Sequence, residues 1–316
     1  MATINSADPT TSIIEEVTPG VTPEVGLRYE VPTSTEQAPP VFASAEITSS
    51  TKRPNRSSNG TQQGMTSGEW SVETRAQKAA FFDLLLKSAL CGEWTSNKLS
   101  AGQKDTFFSV ITALKANTAV DPAPANGMYY VDAGNIVNSF ELSAKSGEGV
   151  TASFGVMGLT RVEADEDHEA SVTAVEGSAN EFTYADLKNV KLYTGTSTYV
   201  DLGVSSLSLS VSHEREIRAI CGQQEGVDIG TSGARKTSGE INIYRESFQI
   251  NTDVTGQPQK LTFEVSRGGA GYRFTIPAAT FQKPSDALEG SSVMVKLSFS
   301  SKFDATAQTD IFVERI

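Results

Sequence analysis

The sequence predicts a mainly β fold: two packed antiparallel sheets with one flanking helix and long hairpin loops. Three observations support this. Segments of alternating apolar and polar residues recur through most of the 316 residues, and period-2 alternation marks half-buried strands. Polar stretches rich in Gly, Pro, Ser and Asn separate them. One window, from Thr74 to about residue 91, carries apolar residues at the wider spacing of a helix.

Residues 1–40 contain Pro9, Pro19, Pro23, Pro32, Pro39 and Pro40 among Thr, Ser and Glu. That composition reads as an extended N-terminal arm without a core of its own, with Leu27–Val31 as one strand formed by docking. Residues 41–316 are expected as the β domain. Phe42–Ser49 alternates, as does Met65–Glu73, where Thr66, Gly68, Trp70 and Val72 share a face. Ser50–Gly64 between them is polar and breaker-rich, so the pair reads as a hairpin with a long connection. Thr74 is the expected N-cap of the helix. Phe81, Phe82, Leu84, Leu85, Leu86, Ala89 and Leu90 form its apolar stripe, and Gly92 stands where a C′ glycine belongs. Phe107–Leu114 fits helix or strand by spacing; its Phe, Val, Ile and Thr favour a strand. Further strands are expected over Ile136–Ala144, Gly149–Met157, Lys188–Tyr193, Ser205–His213, Glu240–Ile250, Lys260–Ser266, Tyr272–Pro277 and Ser291–Phe303. Arg267–Gly271 is a hairpin turn.

A faint internal repeat runs through this pattern. Ser67-Gly-Glu-Trp-Ser-Val72 closes the first long hairpin, and Ser238-Gly-Glu-Ile-Asn-Ile243 closes a second that opens with Ser205–His213. The second connection, Glu214–Thr237, is again long and largely polar. Two pseudo-equivalent sheets are expected. In Ser205–His213, Leu207, Leu209 and Val211 face one way and Ser206, Ser208, Ser210 and Ser212 the other. The last strand sets Val293, Val295, Leu297 and Phe299 against Ser292, Met294, Lys296, Ser298 and Ser300. Each strand therefore has one dry and one wet face.

Composition excludes several function classes. The chain has 26 basic and 38 acidic residues, a net charge of −12, which disfavours tight nucleic-acid binding. The same acidity permits a wall that repels DNA and also serves plain solubility. No apolar run reaches the length of a membrane span. The opening Met1-Ala-Thr-Ile-Asn-Ser does not read as a secretory signal. Cys91 and Cys221 form neither a disulfide framework nor a metal pattern and are expected as reduced, buried thiols. His168 and His213 lack a nucleophile at motif spacing, so no catalytic residue is assigned. Asp165–Glu169 lacks the alternating ligands and central glycine of a calcium loop. Arg267–Gly271 lacks the helix start of a phosphate cradle. No metal or cofactor site is assigned.

Several segments, in order, are similar to a known family. They are Ser12-Ile-Ile-Glu-Glu-Val-Thr-Pro-Gly-Val-Thr-Pro23, Leu27–Val31, Ser44–Arg53, Gly134–Ser143, Gly149–Gly158 and Ala287–Asp304. Together they resemble the tail tube proteins of long-tailed, non-contractile (siphovirus-type) bacteriophages, over nearly the whole chain. Val17 departs from the pattern, where a second Thr is expected before Pro-Gly, and the acidic stretch Arg161–Asn180 has no counterpart. The resemblance implies a β-sandwich or half-barrel with a flanking helix. It implies self-assembly of six subunits into hexameric rings, whose inner sheets join around a lumen, and stacking of rings into a virion tail assembled in the host cytoplasm. Implied partners are other copies of the chain, a tape-measure protein in the lumen, tail terminator and distal initiator proteins, and double-stranded DNA in transit to the host. The arm is expected to order between subunits. Candidate lumen-facing residues are Ser206, Ser208, Ser210, Ser212, Ser292, Lys296, Ser298 and Ser300. Lys52, Arg53 and Arg56 are candidates for an inter-ring loop meeting Asp165, Glu166 and Asp167. The competing reading is a β-sandwich binding module, such as a virion decoration, fibre or adhesin domain. Against it, neither long loop contains Phe, Trp or Tyr.

Overall fold

The computed structural model describes residues 9–32, 40–50, 60–115, 127–165, 171–175, 180–193, 199–246, 248–254, 257–289 and 292–316. The chain opens with β1 (Thr10–Glu15), β2 (Val25–Val31), β3 (Phe42–Thr48) and β4 (Thr61–Arg75). Helix α1 (Ala80–Leu90) leads to β5 (Trp94–Thr95), β6 (Lys98–Ser100) and β7 (Phe108–Lys115). The long β8 (Met128–Lys145) turns into β9 (Thr151–Gly158), then β10 (Thr160–Ala164), β11 (Ser171–Val175), β12 (Leu187–Tyr193) and β13 (Tyr199–Asp201). β14 (Val204–Ser212), β15 (Arg215–Arg218), β16 (Asp228–Thr231) and β17 (Lys236–Tyr244) precede a short α2 (Gln249–Asp253). The last strands are β18 (Gln259–Arg267), β19 (Ala270–Phe281), β20 (Ser285–Glu289), β21 (Ser292–Ser301) and β22 (Phe312–Arg315).

The strands pair into a first sheet of order β3-β4-β9-β8-β14-β17-β21-β20, antiparallel throughout. A second sheet runs β13-β12-β18-β19-β22-β6-β5. It joins the first where the end of β19 pairs with β21. The dry faces of these two sheets enclose the core. Stacked rings bridge it: Phe263 lies 5.0 Å from Phe274, and Phe140 lies 6.5 Å from Phe274 and 5.0 Å from Phe154. Phe82 of α1 meets Phe154 edge-on at 5.5 Å, which docks the helix on the same column. The fold is thus the mainly β sandwich with a flanking helix that alternation predicts.

A third group of strands, β10-β8-β7-β1-β2-β11, uses the first half of β8. β8 therefore belongs to two sheets, and Gly134 marks the change. Its φ is +71°, and a Cβ there would lie 2.6 Å from the Leu159 side chain. Residues 10–31 of the expected arm are a paired hairpin here, with Ile13 and Ile14 buried. Glu16 pins it. Its carboxylate accepts from Gly20 N–H (2.7 Å), Gly134 N–H (2.8 Å) and Ser109 Oγ (2.6 Å). Burial raises the Glu16 pKa, and these three donors pull against that rise. Nearby, the fully buried Asp132 is bound twice by Arg161, at 2.6 and 2.7 Å, with the guanidinium over Phe42 and Tyr130.

Some local expectations shift. The helix begins at Ala80 rather than Thr74. Thr74 and Arg75 still pair with β9, and Thr74 Oγ1 donates to Pro32 O instead of capping. At the other end Cys91, not Gly92, takes the left-handed conformation (φ 49°), and Cys91 N–H and Gly92 N–H close the last turn on Ser88 O and Lys87 O. Gly92 serves a close approach instead: a Cβ there would sit 2.2 Å from Ser100 O. The strand expected over Glu240–Ile250 ends at Tyr244. Ile250 and Val254 are buried at helical spacing. The long connection 214–237 contains its own hairpin, β15–β16, whose Ile229 packs on Ile136, Met157 and Leu159. Cys221, near its tip, is exposed, and only Cys91 is buried.

Two substitutions test this arrangement. Phe154→Ala removes the ring shared by helix and sheets and is expected to cost about 3–5 kcal/mol. Glu16→Ala strands three donors and is expected to cost about 2–3 kcal/mol. Denaturant unfolding measures both; losses under about 1 kcal/mol would show that neither contact anchors the fold.

Candidate functional site on the polar sheet face

The outer face of the first sheet is built by alternation. In β14, Leu207, Leu209 and Val211 enter the core, so Ser206, Ser208, Ser210 and Ser212 point the other way. β17 lies between β14 and β21 and aligns them in rows. Ser206, Asn242 and Lys296 form one row, Ser208, Glu240 and Ser298 the next, and Ser210, Ser238 and Ser300 a third. All eight of the serines and lysine singled out from sequence thus lie on β14 and β21, on either side of β17. Ser292 lies at the start of β21, half-buried and paired with Glu289 of β20. Met294, expected on the wet face, is 3% exposed.

Sequence reasoning missed the rest of the face. It continues through Ser139, Glu141, Ser143 and Lys145 of β8, Thr151 and Ser153 of β9, and Glu69, Ser71, Glu73 and Arg75 of β4. The alternation of each strand was readable; the lateral order was not. Asn242 Nδ2 donates to Ser206 Oγ (2.9 Å) and Glu240 Oε1 (3.1 Å), and Lys296 pairs with Glu240. Acidic Glu69, Glu73, Glu141 and Glu240 are matched by basic Arg75, Lys145, Lys236 and Lys296. The face is therefore hydroxyl-rich and close to neutral, although the whole chain is acidic. A neutral wall lacks the row of unpaired cations that grips a phosphate backbone.

The one Cys–His pair on the described residues lines a cleft of about 740 Å³ between the β15–β16 hairpin and residues 301–310. His213 Nε2–H donates to Ala89 O at 2.7 Å and lies 3.9 Å from Cys91 Sγ. Burial lowers the His213 pKa to about 4, helped by Arg215 and Arg235 and opposed by the Ala89 hydrogen bond. Burial pushes the Cys91 thiol up to about 11. A neutral imidazole beside a protonated thiol is no activated nucleophile. Arg215 instead ties Val137 O (2.8 Å), Cys91 Sγ (3.0 Å) and Asp105 (2.8 Å) together as a structural joint. Among the described residues no cluster of His, Cys, Asp and Glu is arranged to hold a metal.

Lys52, Arg53 and Arg56 lie outside the described residues, as do Glu166, Asp167 and His168. Asp165 is exposed at the end of β10.

A family model described as phage tail tube protein matches residues 7–306. The chain belongs to the phage tail tube protein family. No curated protein matches it. As a tail tube protein it is a structural, non-enzymatic component of the virion. The family implies self-assembly into a tube together with other tail proteins. In this tail tube protein no helix among the described residues is long and apolar enough to cross a membrane.

The histidine gives a pH signature. Below about pH 6.5 the unfolded chain protonates His213 while the folded chain resists until about pH 4. Stability is therefore lost as pH falls through that window, by about 3 kcal/mol in total. In urea titrations at stepped pH, His213→Gln is expected to flatten this slope. An unchanged slope would remove His213 as its source.

Proposed function

We propose that this protein closes into rings that stack as the hollow tube of a non-contractile phage tail, and that the polar face of the first sheet lines the lumen. The single observation that carries the reading is that face: eight antiparallel strands wide and rich in hydroxyls, with charge balanced over β4, β8, β17 and β21. A lumen for DNA in transit needs a wetted surface that holds no phosphate, and this one supplies it. The resemblance implies six subunits in each ring, and in this reading the wall has that sixfold character around the axis. The tape-measure protein occupies the bore during assembly in the host cytoplasm, and terminator and initiator proteins cap the ends. The genome later passes through to the host. Closing the sheets into a barrel removes the strand edges that invite uncontrolled pairing. Lys52, Arg53 and Arg56 are the proposed contacts between stacked rings, meeting Asp165, Glu166 and Asp167 of the next ring.

Electron microscopy of the concentrated chain is expected to show uniform tubes with a stain-filled centre. The lumen assignment is tested with Ser208→Cys in a Cys221→Ser background. A large PEG-maleimide is expected to label the dilute chain quickly and the assembled tube slowly. Equal labelling in both states would place this face outside the bore.

A further inference from the structure

The first sheet is the same four-stranded unit written twice. Its first half runs β3-β4-β9-β8 and its second β14-β17-β21-β20. In each half two strands flank a long connection, a helix follows, and a later strand pair returns so that its second member docks on the second strand of the first pair. α1 follows β4 and α2 follows β17. The sequence repeat falls at equivalent places. Ser67-Gly68-Glu69 sits in β4 and Ser238-Gly239-Glu240 in β17. Each glycine leaves room for an aromatic ring of a flanking strand, Phe42 of β3 at 2.6 Å from a Cβ and, from the other side, Phe299 of β21 at 2.5 Å.

The two halves meet where β8 pairs with β14. That joint matches the last strand of one unit to the first strand of the next. The same two kinds of edge recur at the ends of the sheet: β3 is a first strand and β20 a last strand. Among the described residues β3 pairs only with β4, and β20 only with β21. Each chain therefore presents at its ends the two partners already joined in its middle.

The register can be carried over. Phe42 stands opposite Gly68 as Leu209 stands opposite Gly239. Ala152 and Val293 hold equivalent places in β9 and β21, and they pair with Leu142 and Leu288. In the internal joint Leu209 pairs with Leu142. In the external joint Phe42 therefore pairs with Leu288, and Ala43 with Ala287. Leu288 is 84% exposed in the single chain, and this partner covers it.

We propose that the chain is an internally duplicated tube subunit, that β20 of one copy pairs antiparallel with β3 of the next with Leu288 on Phe42, and that three copies close a ring of six four-stranded units. The count of six four-stranded units rests on the sixfold ring of the proposed function, and the duplication replaces the six subunits expected there with three chains. Dimensions agree with it. With strands about 4.8 Å apart and tilted about 40°, 24 strands close at a backbone diameter of about 48 Å, whereas six copies give about 95 Å. The wider bore would stand mostly empty around one duplex.

The test is Ala43→Cys/Ala287→Cys in a Cys221→Ser background, assembled into tubes, oxidised and run on a non-reducing denaturing gel. A ladder ending at three chains is the expected result. A ladder reaching six overturns the copy number, and tubes without cross-links overturn the edge pairing. If the variant fails to assemble, mass per unit length of wild-type tubes decides the count: three chains of 33.6 kDa per ring repeat are expected, and six overturn it. Leu288→Asp, a change at an exposed position, is expected to leave the single chain's unfolding midpoint unaltered and abolish tubes; normal tubes overturn the pairing. A wild-type chain that forms no rings or tubes overturns the self-assembly reading itself, and this inference with it.

Discussion

The aromatic column Phe263–Phe274–Phe140–Phe154–Phe82 is the contact on which the rest of the structure depends. It joins both sheets and the helix through rings that are all fully buried. Because side chains alternate along a strand, fixing Phe140 and Phe154 inward fixes every neighbour outward. The polar face is thus a consequence of the core. A one-residue slip in β8 or β9 would put charges into the sandwich and phenylalanines onto the wall. The register that stabilises the fold also makes the surface smooth.

The family signature has a physical explanation at Glu16. Gly20 takes a positive φ (78°), which turns its N–H back onto the carboxylate four residues earlier. The same carboxylate holds Gly134, which opens the middle segment of the resemblance. Two stretches that look unrelated along the chain therefore meet at one buried acid. Its three donors satisfy a charge that would otherwise be expensive to desolvate.

The local parts of this fold were legible, and the long-range parts were not. Ser206–Ser212 and Lys296–Ser300 could be assigned to a wet face because alternation is a local signal. That β17 lies between them is a pairing over tens of residues and leaves no local trace. Thr74 looks like an N-cap, but the ladder to β9 and the bond from Ala76 N–H to Val150 O claim that stretch for the sheet. The six prolines of residues 1–40 masked Ile13 and Ile14, whose burial outweighs a breaker-rich composition. In 214–237 Ile217, Ile220, Val227 and Ile229 are scattered among charged and small residues, too few to stand out from a polar loop. The repeat was weak in sequence because beyond Ser-Gly-Glu the two strands keep only the apolar–polar alternation.

The pairing of Lys296 with Glu240 bears on motion as well as on charge balance. An isolated charge on a wall projects a field that reaches about 8 Å at physiological ionic strength. Opposite charges in contact form a dipole, whose field dies away faster still. In the proposed bore, a polyanion sliding past such a face would meet a shallow corrugation instead of a series of wells. Friction then comes from the solvent film more than from the protein. If the tube is built as proposed, its wall would add little resistance per unit length however long it grows.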